Sequence, residues 1–471
     1  MTTTDRGIER LEQRLPGRVV RPGDASYDEA RTIWNGSVDR RPAAVARCTS
    51  PEDVGAALAH AHANGLRVAV RGGGHSFPGH STCDGGLVVD LSPMKGIDVD
   101  LDEGRVRVQG GVLLGELDAA TLPHGMAVPA GIVTHTGVAG LTLGGGMGWL
   151  QRKYGLAIDQ LLGVTLVTAD GRVVRADEQQ EPELFWGVRG GGGNFGVVTE
   201  FEFRLNPVGP IVLAGPVFWP VEASTDVLRF YRDWVADAPD DLMTIVVHRR
   251  APAVEWMPAE LQGRPVVSVV CCWVGDLATG EEVLRPMREF GDPVLDLCVP
   301  KPFLEHQGMF DASFPHGWWY YMRACDVAEL SDEVVAVTAA HAARIRSPLT
   351  AFPIWQLGGA MARVGEDDTV FGGRSAGFTY NITGVTATED GFAEERDWVR
   401  AFWDDLAPWH TSVYVNFLMD EGEDRIRQAY GDAKFVRLQA LKTAWDPDNV
   451  FRLNHNVPPA RPAPGRQAIG T

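Results

Sequence analysis

The residues able to do chemistry sit in three glycine loops. The first reads Arg71, Gly72, Gly73, Gly74, His75, Ser76 and runs on to His80. Consecutive glycines let a backbone approach a ligand closely with its N–H groups turned inward, a concavity that suits phosphate. Alone, that loop reads equally well as a tight turn. The second loop is Gly137-Val138-Ala139-Gly140-Leu141, followed by Gly144 to Gly148; the third runs from Arg189 to Gly196. Three such loops suit a long, folded-out ligand such as a dinucleotide better than turns alone. Gly191, Gly193 and Gly196 match the nicotinamide-dinucleotide fingerprint, but that motif needs a strand before it and a helix after it. Here a helical ELFWGVR precedes and a strand-like VVTEFEFRL follows, so the context is inverted. His75 and His80 raise the question of a metal. Their spacing does not place two ligands on one helix face, and no carboxylate or cysteine set accompanies them, so no metal is expected.

The elements that position these loops follow from local pattern. Ser50 can cap a helix that Pro51 begins, with Val54, Ala57, Leu58 and Ala61 on one face and Asn64-Gly65 at its end. Arg67 to Val70 reads as a buried strand feeding the first loop, and Leu87 to Leu91 as another. Hairpins are expected over Gly96 to Gly110 and around Asp170-Gly171. Beyond about residue 215 aromatics rise and glycine runs vanish. VVSVVCCWV and GWWYYMRA read as strands, Asp332 to Arg346 as a helix, and Glu421 to Ala444 as one charged amphipathic helix.

Composition bounds the function. The 471 residues include 43 Lys+Arg against 62 Asp+Glu, a net charge of −19. Such a surface repels nucleic-acid backbones and anionic lipid heads, so neither is an expected partner. No apolar run has the length of a membrane span and no signal-peptide layout opens the chain, which makes a cytoplasmic protein the default. The 6 cysteines are scattered and read as buried small hydrophobes. Oligomeric state is not legible.

Taken together, RGGGHSFPGHSTCDGGLVVDLS, AGIVTHTGVAGLTLGGGMGWLQRKYGLAIDQLL and WGVRGGGGNFGVVTEFEFRL, then YVNF and DPDNVFRLNHN, resemble the berberine bridge enzyme-like oxidases. These belong to the vanillyl-alcohol oxidase and p-cresol methylhydroxylase (PCMH) superfamily. The resemblance implies an α+β fold. A PCMH-type FAD-binding domain of two α+β subdomains is expected over 38–212, and an antiparallel-sheet substrate domain backed by helices over 213–410. A segment over 411–459 returns to the FAD domain, and a disordered tail follows over 460–471.

By the same resemblance, Arg71 to Ser76 wrap the FAD pyrophosphate and His75 bonds covalently to the flavin 8α-methyl carbon. Gly137, Val138, Gly140 and Leu141 line the flavin ring and ribityl chain, Val198 lies on the adenine side, and Tyr414 with Asn416 closes over the isoalloxazine. Many relatives add a cysteinyl link four residues before the glycine matched by Gly137. Here that residue is Val133, so a single histidyl link is expected. Plant relatives often carry a tyrosine base where this chain has Phe417. Tyr380 then becomes a candidate base, with Tyr414, Tyr320 and Tyr321 as alternatives. Val138, small where a leucine is associated with dehydrogenases, implies access for O2. The implied reaction is hydride transfer to flavin N5 from an alcohol, sugar, phenolic or polyketide-type molecule, with O2 reduced to H2O2. The alternatives are a non-catalytic flavin-binding or carrier protein and a dehydrogenase using another acceptor.

Overall fold

The computed structural model describes residues 3–460, with side chains from residue 8. The tail expected to be disordered therefore lies, apart from Ala460, outside the described residues. The fold is α+β, in which three main sheets frame one cleft.

In the first sheet, Ala44–Arg47, Leu87–Asp90 and Val68–Arg71 run parallel, and Val19–Val20 joins antiparallel at the edge. The helix Pro51–Ala63 covers it. Ser50 Oγ accepts from the Asp53 N–H, and Val54, Ala57, Leu58 and Ala61 are the buried face. The chain leaves this sheet at Arg71 straight into the first glycine loop. A second sheet of five antiparallel strands is built from two hairpins, Ile97–Asp100 with Arg105–Gln109 and Leu161–Val167 with Val173–Asp177. The strand Val197–Arg204 lies between them. That strand follows the third glycine loop, and the helix Pro182–Val188 precedes it. This is the inverted order that argues against a nicotinamide fingerprint.

The third sheet has eight strands, antiparallel throughout. Its central path runs from Ile211–Pro220 through Pro265–Trp273, Leu242–Arg250, Ala351–Gln356 and Phe378–Thr386 to Trp319–Val327. Helices Ser224–Val235, Leu277–Arg288, Asp332–Ala342 and Phe392–Leu406 bury one face, packing on Leu242, Val246, Phe352, Ile354, Tyr380 and Ile382. Alternation sends the intervening residues to the other face, which looks toward the glycine loops.

Two spans differ from expectation. The C-terminal helix is two helices, Glu423–Tyr430 and Asp432–Trp445, because Gly431 adopts φ 77° and ends the first. The helix expected to Arg346 stops at Ala342. Leu438 and Leu441 share a core with Leu184 and Phe185, so the C-terminal segment joins the lobe that carries the glycine loops. Lys442, fully buried, donates to Asn194 O at 2.7 Å, Phe451 O at 2.8 Å and Asp446 Oδ2 at 2.7 Å. This ties the third glycine loop to the residues that follow the last helix. Among the described residues no helix is long and apolar enough to cross a membrane.

Candidate active site

One cavity of about 350 Å³ runs between the lobes. Gly72, Gly73, Gly74, His75 and Ser76 line it, as do Gly137, Gly140 and Leu141 from the second loop, Gly192 and Gly193 from the third, Val198, and Tyr414 with Asn416. The glycines are there for two physical reasons. At Gly73 and Gly137 two backbones touch: a Cβ on Gly73 would lie 2.3 Å from the Gly137 nitrogen. At Gly140 and Gly193 a Cβ would meet no heavy atom within 4 Å, although both residues line the cavity. Side chains are absent where a ligand needs room.

His75 stands at one end of this cradle. Its Nε2 lies 2.6 Å from His135 Nδ1, and its Nδ1 lies 3.4 Å from Thr136 Oγ1. His316 completes a cluster in which one ring nitrogen of each histidine lies within 4.8 Å of those of the other two. Burial first, then the neighbouring His135 and His316, holds the His75 imidazole well below its ordinary pKa, so it is neutral. Trp34 stacks on His75 at 4.7 Å between centroids and on Tyr320 at 3.8 Å. His80 lies apart from this cluster, edge-on to His455 at 5.1 Å, which separates the two histidines of the first loop.

At another wall, Tyr414 Oη accepts from the Gly146 N–H at 2.9 Å and from Asn416 Nδ2 at 2.7 Å. Burial raises the phenol pKa; the two N–H donors pull it down without cancelling that effect. Asn416 also donates to Leu141 O at 2.9 Å, which fixes its amide against the second loop. The large sheet contributes Val247, Arg249, Pro353, Trp355 and Asn381, with Phe417, Phe310 and Phe314 beside them.

Three sequence expectations need correction. Arg71 does not reach the cavity: its guanidinium donates to Asp90 at 3.1 and 2.6 Å and to Ala30 O, so only its backbone is available there. Val138 points into the core with Val112 and Leu114, and Thr136 and Ala139 are the cavity-facing neighbours, so the steric argument for oxygen access does not apply to it. Tyr380 is fully buried on the helix-covered face and bonds Thr338 Oγ1 at 2.8 Å. Its neighbour Asn381 faces the cavity instead. Tyr320 bonds Pro315 O behind the Trp34 stack, and Tyr321 receives Arg400 on the outside; neither lines the cavity. Of the tyrosines weighed as the base, Tyr414 alone lies in it. Val133 lines the cavity, and none of the six buried cysteines does.

Sequence reasoning passed over His135, His316, Trp34, Arg249 and Tyr430. His135 stands two residues before Gly137, inside a run read only for its glycines. The others arrive through long-range packing that no local pattern signals.

Comparison with known proteins agrees with this geometry. A family profile for an FAD binding domain matches residues 42–177, and one described as berberine and berberine like matches 413–458. The chain is 31% identical to an (R)-6-hydroxynicotine oxidase of Paenarthrobacter nicotinovorans, over 94% of this chain and 97% of that one. It superposes on the crystal structure of 6-hydroxy-D-nicotine oxidase from Arthrobacter nicotinovorans with a TM-score of 0.85 at 30% identity, covering 94% and 98% of the two chains. A glucooligosaccharide oxidase of Acremonium strictum, described with a 6-S-cysteinyl, 8α-N1-histidyl FAD, shares the fold at TM-score 0.85 and 22% identity, covering 96% and 99%.

Proposed function

The chain belongs to the FAD-linked oxidoreductases of the berberine bridge enzyme type, and from that premise we propose an oxidase that holds FAD by one covalent bond at His75 and oxidises a small organic molecule. The observation that carries this reading is the single cavity that joins the glycine loops, His75, Tyr414 and Asn416.

The residues fit the cofactor. Gly140 and Gly193 leave open space, and along the cavity His80 Nε2, Ser81 Oγ, Tyr430 Oη and Asn454 Oδ1 are buried without partners. Leaving such atoms unpaired costs about 1–3 kcal/mol each. The phosphates, hydroxyls and adenine of a dinucleotide would pair them. When bound, FAD supplies an acceptor for hydride and passes the electron pair to O2, giving H2O2.

The remaining work falls to this chain's side chains. The N–H groups of Gly72, Gly73 and Gly74 receive the pyrophosphate. One proton is shared between His75 Nε2 and His135 Nδ1; placed on His75, it leaves Nδ1 bare as the bonding nitrogen. With Val133 where relatives have cysteine and no cysteine lining the cavity, the attachment is single. Tyr414 accepts the substrate proton at Oη, where two N–H donors would hold the phenolate. Trp355, Pro353, Phe417 and Phe310 form an apolar wall for a flat organic substrate.

Acid precipitation tests the tether: wild-type protein stays yellow, and His75→Ala releases its colour. Peroxide release is then followed over alcohols, sugars and phenolics. Dye reduction without peroxide would mark a dehydrogenase instead, and an unmodified His75 in yellow protein would sink the covalent account.

A further inference from the structure

Among the described residues lining the cavity there is no Asp, Glu or Lys, in a chain of net charge −19. The one guanidinium there is Arg249. It lies on Leu242–Arg250, where alternation puts Val247 and Arg249 on the cavity side, opposite Pro353 and Ala351 of the neighbouring strand. Its Nη1 donates to Ser313 Oγ at 3.0 Å and its Nε to Arg250 O at 3.3 Å, which leaves most of its five N–H bonds without a protein acceptor.

Arg249 is part-buried, and the three buried arginines are satisfied differently. Arg71 and Arg374 each hold a carboxylate, Asp90 and Asp159. Arg152 donates to the carbonyls of Leu242, Leu357 and Ala238. Arg249 has no carboxylate and a single carbonyl, Arg250 O. Burial alone acts on its pKa, downward, with no acid to hold it up. A cation partly withdrawn from water with no carboxylate beside it is disfavoured, and an anionic ligand would relieve that cost.

From this we infer that Arg249, with the Ser313 hydroxyl beside it, binds an anionic oxygen group of the molecule oxidised, so that the substrate is an aromatic or polycyclic carboxylate or ionised enol. The inference rests on the oxidase reading and narrows it. The FAD phosphates are not the intended anion. The unpartnered polar atoms that fit the dinucleotide belong to the first loop and the C-terminal segment, whereas Arg249 and Ser313 belong to the large sheet and its connections. A flat apolar wall beside a forked cation matches a planar molecule with a carboxylate at its edge.

The test uses 2-naphthoate and its uncharged isostere 2-naphthamide, titrated into the purified holoenzyme. Flavin absorbance and thermal shift are read on the same samples. Wild type is expected to bind naphthoate at least about tenfold more tightly, the scale of one charge-assisted hydrogen bond. Arg249→Gln should remove that preference by weakening naphthoate while leaving naphthamide unchanged, and Arg249→Lys should keep part of it. Equal binding of the two probes in wild type, no binding of either at millimolar concentration, or a preference that survives in Arg249→Gln would overturn the inference. A protein without flavin absorbance would instead defeat the oxidase reading, and the thermal shift would still report on Arg249.

Discussion

An imidazole bonded to carbon through one nitrogen is governed by what its other nitrogen touches. For the bond proposed at His75 Nδ1, that contact is His135 Nδ1, 2.6 Å from His75 Nε2. Replacing it (His135→Ala) should leave FAD binding intact while lowering the acid-stable fraction of flavin, because the proton that fixes the nucleophilic tautomer loses its partner. Mass spectrometry of the loop peptide measures the fraction directly. Tyr414 makes a second case. Its pKa is raised by burial, so a reaction that needs its phenolate should quicken steadily as pH climbs toward the phenol range. Tyr414→Phe should flatten that rise and lower kcat by about 10²-fold or more. Gly140 gives a third, since a side chain there meets cavity and not protein. Gly140→Val should therefore fold as well as wild type and come off purification with little flavin. At this scale the place of the glycine loops, Tyr414 and Asn416 in one cavity was legible, because glycine runs and a linked motif are local signals. Tyr380 was not. A period of two tells which residues share a face but not which face meets the ligand, and every residue of Phe378–Thr386 is buried. Arg71 misled for a related reason, since its neighbours in sequence reach the cavity while its side chain finds Asp90 across the parallel pair.

Elements are where the two lobes meet. Asp118, on the helix Leu114–Thr121, is buried and bonded only by Gln307 Nε2 at 2.9 Å, from the helix Phe303–Gln307 of the other lobe. Burial pushes its carboxyl up to about 7. Unfolded, the same group loses its proton near about 3.9. Between those values the folded chain binds the extra proton, so stability falls as pH rises from about 4 toward about 7 and then levels. Asp118→Asn should remove that slope and raise Tm by a few degrees above pH 7, as thermal unfolding across pH would record. The helix Pro51–Ala63 was readable because its cap, its proline and its apolar face agree. The break at Gly431 was passed over because apolar residues continue at helical spacing on both sides of it, and the positive φ of one glycine decides the matter.

The whole molecule repels anions while its cavity retains a single unpaired arginine. Long-range repulsion is screened beyond about 8 Å at physiological ionic strength, and a buried contact much less. Association of 2-naphthoate should therefore speed up severalfold between low salt and physiological salt while 2-naphthamide stays constant, a comparison for stopped-flow absorbance. Architecture at this scale followed from the linked motifs, which carry their order along the chain; the interplay of distant parts did not. Trp34 shows what that interplay does. Its indole is sandwiched between the imidazole of one lobe and the phenol ring of a strand of the other. If His75 carries the flavin as proposed, the large sheet thus braces that anchor, and a molecule that shifts the sheet would be sensed, ring against ring, at His75.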